Sequence, residues 1–107
     1  MTLITLNLNG IGAAERKDFF PWLKKQNAYF ICLQELKAQE ADLSALMTSP
    51  YSYMGHFSYA IKKGYSGVGI YTKKNPIKII KHLGIPEIDD EGRYIELEFE
   101  KIIIISV

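Results

Sequence analysis

Two apolar segments of the sequence each end in polar residues at the point where a buried strand would stop. The first, Thr2 to Leu8, runs into Asn7 and Asn9, and the second, Ala28 to Gln34, runs into Glu35. The segment between them is long enough for a helical crossover, which makes such strands parallel and places their carboxyl ends side by side. Asn7 and Glu35 would then share the edge of the sheet at which open α/β sheets bind ligands.

A lone carboxylate at the rim of an apolar layer is unfavourable unless a positive group meets it. Asn7 and Glu35 offer oxygen ligands only, the kind that Mg²⁺ prefers. We therefore predict a Mg²⁺ site at Asn7 and Glu35, with Mn²⁺ as an alternative ion. Each residue also has a simpler interpretation: Glu35 as a hydrated or ion-paired carboxylate, and Asn7 as a strand end bonded to its own loop.

Composition limits the classes of protein to consider. The chain has 107 residues, of which 48% are hydrophobic, as expected for one small globular domain. Its 13 basic and 12 acidic residues give a net charge of +1, so any nucleic-acid contact must come from a local patch. Cys32 lies within an apolar run and excludes a disulfide framework. With neither a signal sequence nor a membrane-spanning stretch, we predict a cytoplasmic protein with no membrane contact.

The crossover is predicted as a helix from Ala13 to Gln26. Phe19, Phe20 and Leu23 fall on one face of it at helical spacing. Pro21 interrupts this pattern, so the helix either kinks there or restarts with Pro21 in its first turn.

A short helix, Asp42 to Met47, is predicted next. The segments predicted as strands after it are Tyr51 to Tyr59, Val68 to Thr72, Ile77 to His82, Tyr94 to Phe99 and Ile102 to Val107. The first two would form a hairpin. The last is typical of a strand covered on both faces, yet the sequence stops within it, so we expect a truncated protein whose exposed apolar strand favours association.

Four motifs occur in order along the chain: Leu6-Asn7-Leu8-Asn9-Gly10, Phe30-Ile31-Cys32-Leu33-Gln34-Glu35-Leu36-Lys37, Gly64-Tyr65-Ser66-Gly67-Val68 and Glu91-Gly92-Arg93-Tyr94-Ile95. With these motifs the chain resembles bacterial exodeoxyribonuclease III, the abasic-site endonuclease family of the endonuclease/exonuclease/phosphatase superfamily. Members of that family are much longer, so the resemblance implies that residues 1–107 are the N-terminal part of such a domain, truncated at the C-terminus. The implied fold is α+β, about one half of a four-layer α/β sandwich with a mixed, largely antiparallel sheet and a crossover helix.

The resemblance also implies roles for the residues at the strand ends. The position of Asn7 lies in the metal and phosphate site, Asn9 sits beside it, and Glu35 is the main carboxylate ligand of Mg²⁺. Lys37 would hold Asn9 or a phosphate oxygen, the alternative being a solvated loop lysine.

Two further segments of the family contact DNA. Lys62, Lys63, Tyr65 and Ser66 form a basic hairpin tip, a composition that suits phosphates and a sugar or groove wall. Its simpler interpretation is a hairpin made soluble by lysines. Arg93 is expected to contact a phosphate bidentately, or else to form a salt bridge with neighbouring acids.

No catalytic residue is predicted in the chain itself. The tyrosine, the aspartate–asparagine pair and the aspartate–histidine pair of the family fall beyond Val107, and His56 and His82 are assigned no role. The segment Ile11-Gly12-Ala13 replaces the family's Leu-Arg-Ala, so a phosphate-binding arginine is missing.

The activity implied by the resemblance is Mg²⁺-dependent DNA repair. Such an enzyme hydrolyses the phosphodiester 5′ to an abasic site and trims 3′ ends of double-stranded DNA. We expect the fragment alone to be nearly inactive. Its expected partners are double-stranded DNA and a separately encoded C-terminal half. The alternatives are a non-catalytic remnant that binds DNA and a superfamily phosphatase that acts on small phosphoesters.

Overall fold

The computed structural model describes residues 1–107 and contains two β-sheets packed face to face. The first sheet has four strands in the order β1-β2-β4-β3, and the second has three in the order β5-β6-β7. The strands are β1 (Leu3–Asn7), β2 (Phe30–Gln34), β3 (Met54–Ser58), β4 (Val68–Thr72), β5 (Lys78–Ile80), β6 (Ile95–Glu98) and β7 (Ile103–Ser106). β1 and β2 are parallel, and all other pairs are antiparallel. This is the mixed, largely antiparallel α+β fold that the sequence predicts.

The crossover between β1 and β2 consists of two short helices. They are α1 (Ile11–Arg16) and α2 (Phe19–Lys24), separated at Asp18, whose φ of 65° is left-handed. The single helix predicted from Ala13 to Gln26 is therefore wrong. Of the two outcomes expected at Pro21, the restart is correct, because Pro21 lies in the first turn of α2, where its missing N–H is not needed.

The remaining helical segments are short. Asp42 to Met47 was expected to form one helix, but a 3₁₀ turn (Glu40–Asp42) is followed by the separate α3 (Ala45–Thr48). Ser44 caps α3 by accepting a hydrogen bond from the Met47 N–H, which starts the helix later than expected. The helix α4 (Pro86–Asp89) was not predicted. None of the helices has the length and apolar character that crossing a bilayer requires.

Two apolar clusters surround β2. Ile31 and Leu33 pack against the helices, and Phe30 and Cys32 pack against the second sheet. Successive side chains of a strand point to opposite faces, so a continuous apolar run is what a strand buried on both sides requires. This burial fixes β2 at the centre of the molecule and places its carboxyl end, Gln34, beside that of β1.

β7 is an edge strand with one covered face. Ile104 and Ser106 are buried, whereas Ile103 and Ile105 are 54% and 47% exposed, so the strand has the exposed apolar face that the sequence predicts. The reason is topological, because the second sheet has no further layer outside it. A groove of about 530 Å³ runs between β7 and the edge strand β1.

Candidate metal and phosphate site

Three loops meet at the carboxyl ends of β1 and β2, and main-chain hydrogen bonds hold them together. The bonds, donor first, are Gly10 N to Glu35 O (2.8 Å), Ile11 N to Leu36 O (2.8 Å), Leu36 N to Gly67 O (3.0 Å) and Lys37 N to Ser66 O (2.8 Å). The loop after β2 is thus the centre of the assembly, bonded on one side to the β1 loop and on the other to the β3–β4 hairpin.

Four residues of these loops have a left-handed backbone. Their φ values are 47° at Asn9, 52° at Glu35, 51° at Lys37 and 47° at Ser66. Such conformations cost a non-glycine residue on the order of 1 kcal/mol each and persist only where surrounding structure imposes them. All four are residues to which the sequence assigns a role in the site, and backbone strain of this kind concentrates at functional sites.

The Asn7 and Glu35 side chains are in direct contact. The Asn7 Nδ2 amide donates to Oε2 of Glu35, and its Oδ1 accepts from the backbone N–H of Asn9 at 2.9 Å. The predicted convergence of the two strand ends is therefore present in the structure. The hydrogen bond from Asn7 lowers the pKa of the Glu35 carboxyl below its ordinary value, with Lys37 and Arg93 adding to the effect against partial desolvation.

Lys37 lies on the same side of its loop as Glu35. Its Nζ is 2.7 Å from Oδ1 of Asn9 and 3.6 Å from Oε1 of Glu35. The ammonium thus bridges an amide and a carboxylate, unlike a solvated loop lysine.

A cavity of about 340 Å³ opens beside these groups. It is lined by Asn7, Gln34, Glu35, Ser66, Val68, Arg93 and Val107. Gln34 was not predicted as a site residue. Its Nε2 donates to Oγ1 of Thr5 at 3.1 Å and to Oγ of Ser106 at 3.2 Å, which links both sheets at the cavity wall. The sequence signal for Gln34 was its position as a polar residue at the end of an apolar strand.

Arg93 reaches this cavity from the turn before β6. Its Nε donates to Oε2 of Glu91 at 2.8 Å, and its Nη2 donates to the Tyr65 hydroxyl at 3.0 Å. The salt bridge considered from the sequence is therefore present, and Arg93 still lines the cavity. Glu91 was expected only as one of the acids next to Arg93, and nothing in the sequence indicates its contact with Tyr65.

The hairpin tip contributes unequally. Lys62 Nζ lies 5.3 Å from the centroid of the Tyr65 ring, a cation–π distance. Lys63 is exposed and has no ion pair or side-chain hydrogen bond, so the structure does not bring it to the other site residues. The two histidines also lie elsewhere, with His56 in the strand β3 and His82 beside Asp89.

The donor set at this edge fits a magnesium ion better than a transition metal. The chain has no group of three or more histidine, cysteine or acidic side chains, so a closed site for zinc is absent. Magnesium is commonly held through one or two carboxylates, with water and substrate phosphate completing the shell, and Glu35 supplies such a carboxylate. The Asn7 Oδ1 accepts the Asn9 N–H and keeps a second lone pair, while its amide nitrogen contacts Glu35.

Residues 4–107 match the model of the Endonuclease/Exonuclease/phosphatase family. The chain belongs to this family. Apart from Leu3, the match covers both sheets and all the loops described above, and it agrees with the resemblance found in the sequence motifs.

Two relatives of the chain carry the names of nucleases that act on DNA. The chain is 43% identical over 108 residues to an exodeoxyribonuclease of Bacillus subtilis, covering 100% of this chain and 42% of the relative. It is 35% identical to a DNA-(apurinic or apyrimidinic site) endonuclease of Dictyostelium discoideum, covering 99% of this chain and 29% of that protein. The chain thus spans less than half the length of these relatives.

A solved structure of the same kind shares the fold. An AP endonuclease from Archaeoglobus fulgidus superimposes with a TM-score of 0.80 at 28% identity, covering 96% of this chain and 38% of the other. The two packed sheets are therefore a shared framework, consistent with about one half of an α/β sandwich.

Proposed function

We propose that this chain is the metal-binding part of a Mg²⁺-dependent DNA repair nuclease that acts 5′ to abasic sites and at 3′ ends. The observation that carries the proposal is the grouping of Asn7, Glu35, Lys37 and Arg93 around the carboxyl ends of β1 and β2. A carboxylate beside two cations is suited to bind a divalent ion together with a phosphate.

Each side chain has a separate task in this proposal. Glu35 holds the ion, and Asn7 fixes the orientation of the carboxylate through its amide nitrogen. A bound Mg²⁺ would polarise the phosphodiester and stabilise the charge that develops on it. Lys37 orients Asn9 toward the same edge, and Arg93, which lines the same cavity, binds a phosphate oxygen.

DNA contact is proposed for the hairpin and its neighbours. Net charge gives no general attraction, so binding relies on a local basic group in which Lys62 and Arg93 both approach the Tyr65 ring. Ser66 follows Tyr65, and the exposed Lys63 adds a charge next to Lys62. The names of the relatives, which refer to DNA or to apurinic sites, favour double-stranded DNA over a small phosphoester as substrate.

We further propose that residues 1–107 act as the N-terminal part of a longer domain and are nearly inactive alone. Neither histidine lines the cavity beside Glu35, so neither is placed to activate water there. Phosphoryl transfer depends on groups that are held together, so an incomplete set costs many orders of magnitude in rate. The open edges of β1 and β7 offer positions at which further polypeptide, such as a separately encoded half, could pair.

A cytoplasmic location is proposed on the basis of the free, buried Cys32.

The test compares incision and binding of a synthetic duplex that carries one abasic site. We expect weak, salt-sensitive binding and no turnover in Mg²⁺ for the chain alone. The matched variants are Glu35→Ala, which removes the carboxylate at the site, and Glu15→Ala, which removes an exposed one in α1. Turnover lost in Glu35→Ala and retained in Glu15→Ala would show that the fragment is self-sufficient, contrary to the proposal. Hydrolysis of inositol phosphates without DNA binding would instead support the phosphatase alternative.

A further inference from the structure

We propose that Glu91 is a positioning residue that holds the Arg93 guanidinium at the cavity rim, ready to receive a phosphate of DNA. The inference rests on the DNA-binding role proposed above for Arg93. It adds a residue whose charge has the wrong sign for a direct contact with DNA.

Three side chains close one ring of hydrogen bonds. Arg93 donates through Nε to Oε2 of Glu91 at 2.8 Å and through Nη2 to the Tyr65 hydroxyl at 3.0 Å. The Tyr65 hydroxyl in turn donates to Oε1 of Glu91 at 3.4 Å. Both carboxylate oxygens are thus used, and Glu91 fixes two other side chains that come from separate segments of the chain.

The guanidinium keeps free donors in this arrangement. Arginine carries five N–H groups in a planar fork, of which the ring uses one at Nε and one at Nη2. The others remain available to an anion in the cavity that Arg93 shares with Glu35 and Ser66. Contact between the guanidinium and the Tyr65 ring, 5.7 Å from centroid to Cζ, limits its rotation further.

The backbone that carries Glu91 is itself fixed. Its neighbour Gly92 has a φ of +60°, and a Cβ at that position would lie 2.5 Å from the Ala60 nitrogen. The turn therefore packs directly on the loop between β3 and β4. The Ile61 N–H donates to the Asp90 carbonyl at 2.9 Å, which joins the same two segments. A positioning group must stand on rigid support to be effective, and this turn provides it.

Two effects of Glu91 on DNA binding oppose one another. The carboxylate repels phosphates, but it also orders a long side chain whose rotamers would otherwise be restricted only on binding. The pKa of Glu91 is lowered, chiefly by its hydrogen bond from Arg93, so it remains charged at neutral pH. Removal of Glu91 therefore weakens binding if positioning dominates and strengthens it if charge dominates.

The experiment measures the Kd of a fluorescent duplex with one abasic-site analogue, without divalent cations and at one fixed ionic strength. We expect Glu91→Ala to weaken binding about two- to fivefold, the range for a contact between exposed charged groups. Glu91→Gln, which keeps the shape and one acceptor oxygen, should recover part of the loss. In an Arg93→Ala background, Glu91→Ala should cause no further loss.

Asp90→Asn is the matched control. Asp90 is the adjacent acid, exposed and without a side-chain hydrogen bond, so its removal changes the charge but not the ring. We expect binding by Asp90→Asn to be unchanged or tighter. Glu91→Ala binding as tightly as Asp90→Asn would overturn the inference.

A second measurement does not depend on DNA. NMR exchange of the Arg93 Nε–H with water should be slow in the unmodified chain and in Asp90→Asn, and clearly faster in Glu91→Ala. Equal exchange rates in all three would overturn the inference. If the unmodified chain fails to bind the duplex, the proposed function is refuted, and this exchange measurement then decides the role of Glu91 by itself.

Discussion

The carboxamide of Asn7 donates to the carboxylate of Glu35 across the parallel strands β1 and β2, although 28 positions separate the two residues in the chain. The contact is possible because Asn7, the last residue of β1, is paired in register with Gln34, the last residue of β2. Glu35 comes directly after Gln34. The two short helices of the crossover bring these strand ends together.

Asn7→Ala should raise the Glu35 pKa toward its ordinary value, because the bond from Asn7 is the largest cause of the lowered pKa. A carboxylate with a lowered pKa stabilises the fold above its ordinary range and loses that contribution as pH falls through the folded value. The variant should lose the largest part of this pH dependence, since Lys37 and Arg93 still lower the pKa. Its Mg²⁺ affinity should fall about tenfold, as for other groups that orient a ligand. NMR titrations of the Glu35 carboxyl carbon with acid and with Mg²⁺ measure both effects.

The control for this variant is Asn75→Ala, which changes an exposed asparagine away from the cavity. It should leave both titrations as they are in the unmodified chain. An unchanged Glu35 pKa in Asn7→Ala would contradict the assignment of Asn7 as the group that orients the carboxylate.

Gly92→Ala should destabilise the chain more than Gly84→Ala. Both glycines have positive φ, 60° and 84°, so both substitutions carry a backbone cost of about 1–2 kcal/mol. A Cβ at Gly92 would also lie 2.5 Å from backbone atoms, whereas one at Gly84 would meet nothing within 4 Å. We expect a further loss of about 1–3 kcal/mol at Gly92, measured by urea denaturation. Equal losses for the two variants would show that the turn yields to the added methyl group.

Sequence reasoning placed the parallel strands and the contact between Asn7 and Glu35 correctly, because both follow from apolar periodicity and the geometry of a crossover. It could not place the break at Asp18, where the left-handed backbone lets both helices pack their apolar residues into one cluster with β2. The contact between Glu91 and Tyr65 was missed for a related reason. The two residues are 26 positions apart, and no local pattern reveals such a pair.

His56 should make stability depend on pH. Burial, together with the nearby Lys81 charge, lowers its pKa, and its Nε2 is buried without a hydrogen-bond partner. A base whose folded pKa is lowered stabilises the fold fully above its ordinary pKa of about 6.5, and this stability is lost as pH falls toward the folded value. We expect a loss of at most about 1.4 kcal/mol per pH unit below that point.

Urea denaturation at several pH values tests this expectation in His56→Gln and His82→Gln. The His82 side chain is 71% exposed, so its substitution is the matched control. The slope below the ordinary histidine pKa should become smaller in His56→Gln only. A slope that changes equally in both variants would show that the buried position of His56 has no effect.

Ser106→Ala should loosen the contact between the two sheets beside the cavity. The buried Ser106 hydroxyl donates to the Leu33 carbonyl at 3.0 Å and accepts from Gln34 Nε2 at 3.2 Å. Its removal leaves both groups without this partner, at a cost of about 1–2 kcal/mol. Urea denaturation should detect this loss and find almost none in Ser52→Ala, an exposed serine. Comparable stability of the two variants would contradict the linking role.

The loops that form the site are joined to one another by main-chain atoms, from Gly10 and Ile11 through Leu36 to Gly67. Main-chain bonds do not depend on side-chain identity, so the identity of most surface residues on these loops can change while their relative placement is retained. Divergence between descendants of one ancestral gene can therefore proceed by exchanging what the loops display, one position at a time, on an unchanged frame.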